Sequence, residues 1–156
     1  MDTQAVEVIE TEVALAPVWS LNRSRVLRRL MQVLQPYVGR YDILPGLEFD
    51  LLAGRATPTL ALLPCLRYNW QADVLRFPLP PITAIEVLSP TQSFDAVVTK
   101  IREVYLASGA KSAWLVLPTV CHIYLFLPGQ PPQVFTSGTL HDPAAQVDVA
   151  LADIFR

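Results

Sequence analysis

The sequence predicts one α/β domain built on a central sheet with helices on both sides. Three observations carry that reading. Residues 82–88, Ile-Thr-Ala-Ile-Glu-Val-Leu, are apolar on both pleat faces, the pattern of a strand covered from both sides. Two segments, one beginning near Ser20 and one near Ser93, repeat apolar residues at helical spacing. Of 156 residues, 52% are hydrophobic and only 17% charged. Globular domains usually carry about 25% charged residues, so this chain has a large core or a subunit interface to fill.

The elements follow in order. Residues 1–16 read as a mobile acidic tail, leaving 17–156 as a single domain. In the first helix Leu27, Leu30, Met31 and Leu34 fall on one stripe, and Pro36 and Gly39 end it. Residues 41–52 and 55–63 form two strand-like runs around Ala53-Gly54 and predict a hairpin. Residues 67–77 have no period and read as a loop. Pro78, Pro80 and Pro81 then stiffen the approach to strand 82–88. Ser89-Pro90-Thr91 breaks that strand. A second helix spans 93–108, with Val97, Ile101, Val104 and Tyr105 as its apolar stripe and Gly109 as its C-cap. Strands 112–117 and 120–127 turn at Pro118-Thr119. A short strand near Val134 follows the Pro/Gly-rich stretch 128–132. Residues 147–155 close the chain as a last strand or turn and a short helical lid.

Composition also excludes functions. The formal net charge is −2 and the isoelectric point about 5.6, whereas a general nucleic-acid binder usually has a value above roughly 9. Cys65 and Cys121 stand far apart in apolar stretches, with no Cys-x-x-Cys pair, and read as buried free thiols. The most apolar stretch, 113–127, is interrupted by Pro118 and His122 and falls short of the roughly 20 apolar residues of a spanning helix. No signal pattern opens the chain. The expectation is a cytoplasmic protein with no membrane partner and no organic cofactor. Its few charges and the uncharged stretch 112–140 predict a homodimer or larger assembly.

Glu86 is the residue that most demands an explanation. A carboxylate inside a doubly covered strand must be paired, hydrogen-bonded or metal-bound. The alternatives to a metal or catalytic role are an ion pair with Arg67, Arg102 or Lys100, or a strand end that reaches water. Lys100, on the next helix, is placed to reach it across the strand-to-helix turn. Arg23, Arg25, Arg28 and Arg29 form a basic cluster on the first helix, either a phosphate-contacting face or an ordinary solvated one. His122 and His141 lack a ligand partner at a known spacing and read as structural. Ser89 and Ser93 have no nearby histidine, and the six glycines form no phosphate loop.

The run Ile85-Glu-Val-Leu-Ser-Pro-Thr91, followed by Lys100, Tyr105, Gly109, Ala113-Trp-Leu-Val116 and the ending Ile154-Phe155, resembles a family. It is similar to the restriction endonucleases of the PD-(D/E)XK superfamily that are marked by a Glu-Val-x-Ser-Pro strand. There a lysine and a tyrosine lie on the following helix. The resemblance covers roughly residues 20–156. It implies a restriction-endonuclease-like fold, a mixed central sheet flanked by helices, with one Mg²⁺ or Mn²⁺ site and DNA as a possible partner. It also implies that Glu86 binds metal and is catalytic, that Lys100 serves the attacking water, and that an aspartate stands at the position here held by Thr59.

That last position departs from the pattern. Mg²⁺ prefers anionic oxygens, and a threonine hydroxyl is neutral. The metal site therefore reads as degenerate, and nuclease activity as doubtful. With the hairpin turning at Ala53-Gly54, Thr59 lies opposite Glu48 and Thr57 opposite Asp50, so either carboxylate is a candidate replacement. Two functions stay open. One is a metal-dependent endodeoxyribonuclease using Glu86 and Lys100. The other is an inactive relative that serves as a self-associating binding module. On this reading Thr59→Asp alone should raise divalent-ion affinity.

Overall fold

The computed structural model describes residues 18–156; the expected tail over 1–16 lies outside the described residues. Helix α1 spans Leu21–Val33, and a 3-10 turn, Gln35–Tyr37, carries Pro36 just beyond it. Ser20 caps α1, its hydroxyl accepting from the Arg23 amide at 3.2 Å. Strands β1 (Tyr41–Pro45), β2 (Phe49–Leu51), β3 (Gly54–Ala56) and β4 (Leu60–Pro64) follow, then the loop to β5 (Thr83–Val87). Helix α2, Phe94–Lys100, continues as a π-helical turn, Ile101–Leu106. Then come β6 (Ser112–Leu117), β7 (His122–Phe126), β8 (Gln133–Phe135), β9 (Thr139–Asp142), β10 (Val147–Ala150) and a single turn α3 (Leu151–Ile154).

Six strands form the central sheet in the order β1-β4-β5-β6-β7-β8. Only β5 and β6 run parallel, with Ile85 beside Trp114 and Glu86 beside Leu115. The parallel pair needs the α2 crossover between its strands, which is why the apolar stripe of 93–108 lies on the sheet. Every residue of β5 is buried. Ile85 and Val87 face a core shared with Val26, Leu30 and Leu34 of the α1 side, the β9-β10 ladder and α3. Ala84 faces the second core with Val97, Ile101, Tyr105, Phe49 and Leu51. The sequence expectation of a doubly covered strand at 82–88 is met, and the mixed α/β architecture with it.

Several local expectations are corrected. The hairpin turns on Leu52-Ala53, since Leu51 pairs with Gly54, so Phe49 meets Ala56 and Asp50 meets Arg55. Gly46, at φ +66°, interrupts the first run, and Pro58 lies in the gap of the second. The hairpin therefore splits into a β1–β4 ladder inside the main sheet and a separate β2–β3 ribbon. The turn sits one residue earlier than expected, which slides the pairing by two. Thr59 then lies by Gly46, whose amide donates to the Thr59 carbonyl at 3.3 Å, and not opposite Glu48. The α1 stripe is rotated, burying Arg23, Val26, Leu30 and Leu34 while Met31 is exposed. Residues 139–142 are a strand, so His141 lies on β9, beside Asp148 of β10. Both cysteines are exposed free thiols. Cys65 follows the end of β4, and Cys121 sits in a left-handed turn at φ 54°. Both occupy strand-connecting turns, where apolar neighbours in sequence do not guarantee cover. No helix among the described residues is long and apolar enough to cross a membrane.

Candidate functional site

The centre is built around Glu86. It points from β5 toward the α2 side and is only 2% exposed. Its Oε1 accepts from the Tyr105 hydroxyl at 2.5 Å and pairs with the Lys100 ammonium at 3.0 Å. Lys100 keeps partial contact with water, while Tyr105 is fully buried.

The π-helical turn explains how one helix supplies both groups. In an α-helix residues five apart are rotated by about 140° and face different ways. Bonding i→i+5 brings them nearly into line. Lys100, the last α-helical residue, and Tyr105, inside the wide turn, thereby share one face toward Glu86. Beyond the wide turn the helix closes as a Schellman cap around Gly109 (φ +109°), the Ala110 amide donating to the Tyr105 carbonyl at 3.0 Å and the Gly109 amide to the Leu106 carbonyl at 3.1 Å. Burial, then the Glu86 charge and its hydrogen bond, push the Tyr105 phenol far above its ordinary value. Tyr105 is a permanent donor in the working pH range.

Across the sheet stands Thr59. Leu60 pairs with Ile85, so the next step of the antiparallel ladder sets Thr59 against Glu86. The Thr59 hydroxyl accepts from the Val87 amide at 3.1 Å and from Arg23 Nη2 at 3.2 Å. Arg23 enters from the first turn of α1 and is 4% exposed. The Trp19 ring covers its guanidinium, with Cζ 4.0 Å from the centroid. Desolvation lowers the Arg23 pKa and the Glu86 charge works in the other direction.

The other sequence candidates lie elsewhere. Glu48 pairs with Arg76 at 3.2 Å and Asp50 with Arg55 at 3.6 Å, both on the β2–β3 side and both well exposed. The structure brings neither to Thr59 or Glu86. Arg67 and Arg102, considered as partners of Glu86, give way to Lys100; Arg102 stacks over Phe126 instead. Arg25, Arg28 and Arg29 line a groove of about 430 Å³ with Gln32, Asp153 and Arg156, between α1 and the chain end. Among the described residues none of these three makes an ion pair, and only Arg156 engages Asp153, at 2.8 Å.

Two features were missed. Arg23 was grouped with the outer arginines, although it continues the Val26–Leu30–Leu34 stripe by one helical step, a signal the sequence does hold. The other is Asp142. Fully buried, it accepts from Ser112 Oγ at 2.6 Å and Trp114 Nε1 at 2.8 Å with one oxygen. The other oxygen accepts the Ala144 and Ala145 amides at 2.9 and 3.0 Å. Every contact is internal, so Asp142 ties β9 to β6.

A mixed sheet with a parallel central pair, a carboxylate on one of those strands and a lysine on the crossover helix define a nuclease-like α/β domain. The chain belongs to the Uma2 family, described as "Putative restriction endonuclease", whose model matches residues 2–152. In three dimensions it is similar to a solved structure from Anabaena variabilis, described as "a putative nuclease belonging to DUF820". That match has a TM-score of 0.74 at 20% identity and covers 89% of this chain and 83% of the other. The curated proteins give no match.

Restriction-endonuclease-like proteins generally use divalent metal ions. The donor set here does not fit one. Among the described residues Glu86 is the carboxylate of the centre, and its Oε1 already serves Tyr105 and Lys100. Thr59 offers a neutral oxygen that already accepts two donors. Among the described residues no three His, Cys, Asp or Glu side chains converge where an ion could sit. Among the described residues a hard cation with its preference for anionic oxygens finds one carboxylate, with Oε1 already engaged, and two cations nearby.

Proposed function

We propose that this chain is a non-cleaving member of the nuclease family that keeps the fold to bind nucleic-acid phosphates. The observation that carries the proposal is the state of Glu86. In a cleaving centre the carboxylates hold a metal ion that activates water and stabilises the departing oxygen. Here the single carboxylate is bound by Tyr105 and Lys100, with a neutral Thr59 opposite. The cavity with the chemistry for a phosphate is the groove of Arg25, Arg28, Arg29 and Arg156. It contrasts with the acidic chain as a whole and suits a phosphate backbone, which takes arginine bidentately.

The rival reading, a working metal-dependent endodeoxyribonuclease, draws on the retained Glu86–Lys100 pair. One experiment separates them. Supercoiled plasmid is incubated with the protein in Mg²⁺ or Mn²⁺, and binding to a short duplex is followed by fluorescence anisotropy. The expected result is no nicking, with binding that weakens as salt rises, at a log–log slope of about −3 for three to four phosphate contacts. Replacing Arg25, Arg28 and Arg29 by alanine should abolish that binding. Nicking that disappears in Glu86→Ala would overturn the non-cleaving reading. Absence of binding at low salt would overturn the phosphate groove and leave a protein-binding module.

A further inference from the structure

We propose that Arg23 is the resident cation of this centre, a guanidinium that the fold places where the family pattern calls for a metal ion. The proposal rests on the non-cleaving reading and explains it in terms of one residue.

Position is the first argument. Arg23 stands in the first turn of α1, three residues after the Ser20 cap. A cation there opposes the helix macrodipole, which favours anions at that end. It is also 4% exposed, and arginine is almost never fully buried without a partner. Two unfavourable placements in one residue call for a compensating charge. No carboxylate is paired with it in a direct contact among the described residues; Glu86 supplies the opposing field. Nη2 is spent on Thr59, and Nε is buried with no hydrogen-bond partner among the described residues. An orphan buried donor of this kind is destabilising and marks a site whose ligand set is incomplete on the anionic side.

Charge is the second. With Glu86 ionised, Lys100 and Arg23 outnumber it by two cations to one anion. A divalent ion would enter a centre that is already positive. The guanidinium is covered by the Trp19 ring and hydrogen-bonded to Thr59, the residue opposite Glu86, so two contacts fix it beside the carboxylate.

This changes what Thr59→Asp does. On the sequence alone the substitution completes a two-carboxylate metal site. With Arg23 in place, the new carboxylate lies against Nη2 and the free Nε and forms a bidentate ion pair. The centre becomes neutral and still holds no ion. Ion binding then requires the arginine to be removed as well.

The test is Mn²⁺ titration by calorimetry on wild type, Thr59→Asp, and the double variant Thr59→Asp/Arg23→Gln, with melting temperatures for each. Wild type and Thr59→Asp are expected to show no binding at millimolar Mn²⁺, and Thr59→Asp to melt about 3 °C or more above wild type. The double variant is expected to bind at least about tenfold more tightly than Thr59→Asp, as an anionic pair without its internal cation should. Thr59→Asp binding Mn²⁺ as well as the double variant, or melting below wild type, overturns the role of Arg23. So does a folded double variant that binds nothing. A double variant that does not fold leaves the Thr59→Asp result to decide. Wild type that binds Mn²⁺, and loses it in Glu86→Gln, overturns instead the reading that the centre is metal-free.

Discussion

Glu86→Gln should destabilise this protein, and the sign of the effect separates a structural ion network from a catalytic centre. The substitution keeps the shape and leaves an oxygen for the Tyr105 hydroxyl, now at 2.5 Å. It removes the charge. Lys100, whose side chain is 26% exposed, can turn toward water and loses little, as partly solvated pairs do. Arg23, at 4% exposure, cannot. Removing one member of a buried charge set commonly costs about 3–5 kcal/mol; the lower end applies because one of the two cations is relieved by solvent. For a domain of this size each kcal/mol shifts the melting temperature by roughly 2–4 °C, so a loss of about 6–12 °C is expected. Thermal and urea unfolding at pH 7, followed by circular dichroism, measure it. A catalytic carboxylate held against its preference behaves the other way, since neutralising it relieves strain that activity required. Melting at or above the wild-type temperature would therefore refute the account of Glu86 as the anchor of two internal cations.

Three other expectations follow from the same contacts. Because the folded state holds the Tyr105 proton above its unfolded value of about 10, no pH dependence arises from it below that point; above pH 10 the unfolded chain releases the proton and stability falls by about 1.4 kcal/mol per pH unit. Tyr105→Phe should be less stable by about 1.5–3 kcal/mol at pH 7 and should lose that alkaline slope, which urea midpoints from pH 9 to 11 will show; equal slopes in both proteins would sink the assignment. Asp142→Ala strands the Trp114 indole, the Ser112 hydroxyl and two amides, so a loss of about 3 kcal/mol or more is expected in urea unfolding, against under 0.5 kcal/mol for Asp73→Ala in the exposed loop. Self-association is proposed through that loop, where Trp70 and Leu75 are 91% and 86% exposed: sedimentation equilibrium should find a dimer at micromolar concentration and a monomer for Trp70→Ser, and a wild-type monomer would refute it.

The elements that came through from sequence are those whose period and punctuation agree. Strand β5 declared itself by apolar residues on both faces, and β6 was bounded correctly at Ser112–Leu117. Gly109, at φ +109°, ends the second helix as its C-cap pattern implied. The long hairpin failed because a turn displaced by one residue slides every pair by two, and alternation alone is blind to a slip that keeps the faces unchanged. That slip removed Glu48 and Asp50 from the neighbourhood of Thr59, and with them the expected substitute ligands.

The centre itself divides along the same line. Glu86 was legible because a charge in an apolar strand breaks a local rule, and such breaks gather at sites. Arg23 broke a rule of the same kind, a charge on the buried stripe of a helix, but three neighbouring arginines on the outer face masked it. What separates the one from the three is that the buried stripe keeps Leu30 and Leu34 but runs through Val26 in place of Leu27 and Met31. Tyr105 was read as apolar stripe, and its alignment with Lys100 could not have been found by period analysis at all. An i+5 spacing is off-face in the α-helix that every helical template assumes; it becomes on-face where the helix widens at Ile101–Leu106. The wide turn, the buried arginine and the neutral Thr59 are separate departures from local expectation, and they meet at one carboxylate. On the proposed reading, that convergence describes a centre organised around its own cations, in which the charge arrangement of Glu86, Lys100 and Arg23 takes the part an ion would otherwise play.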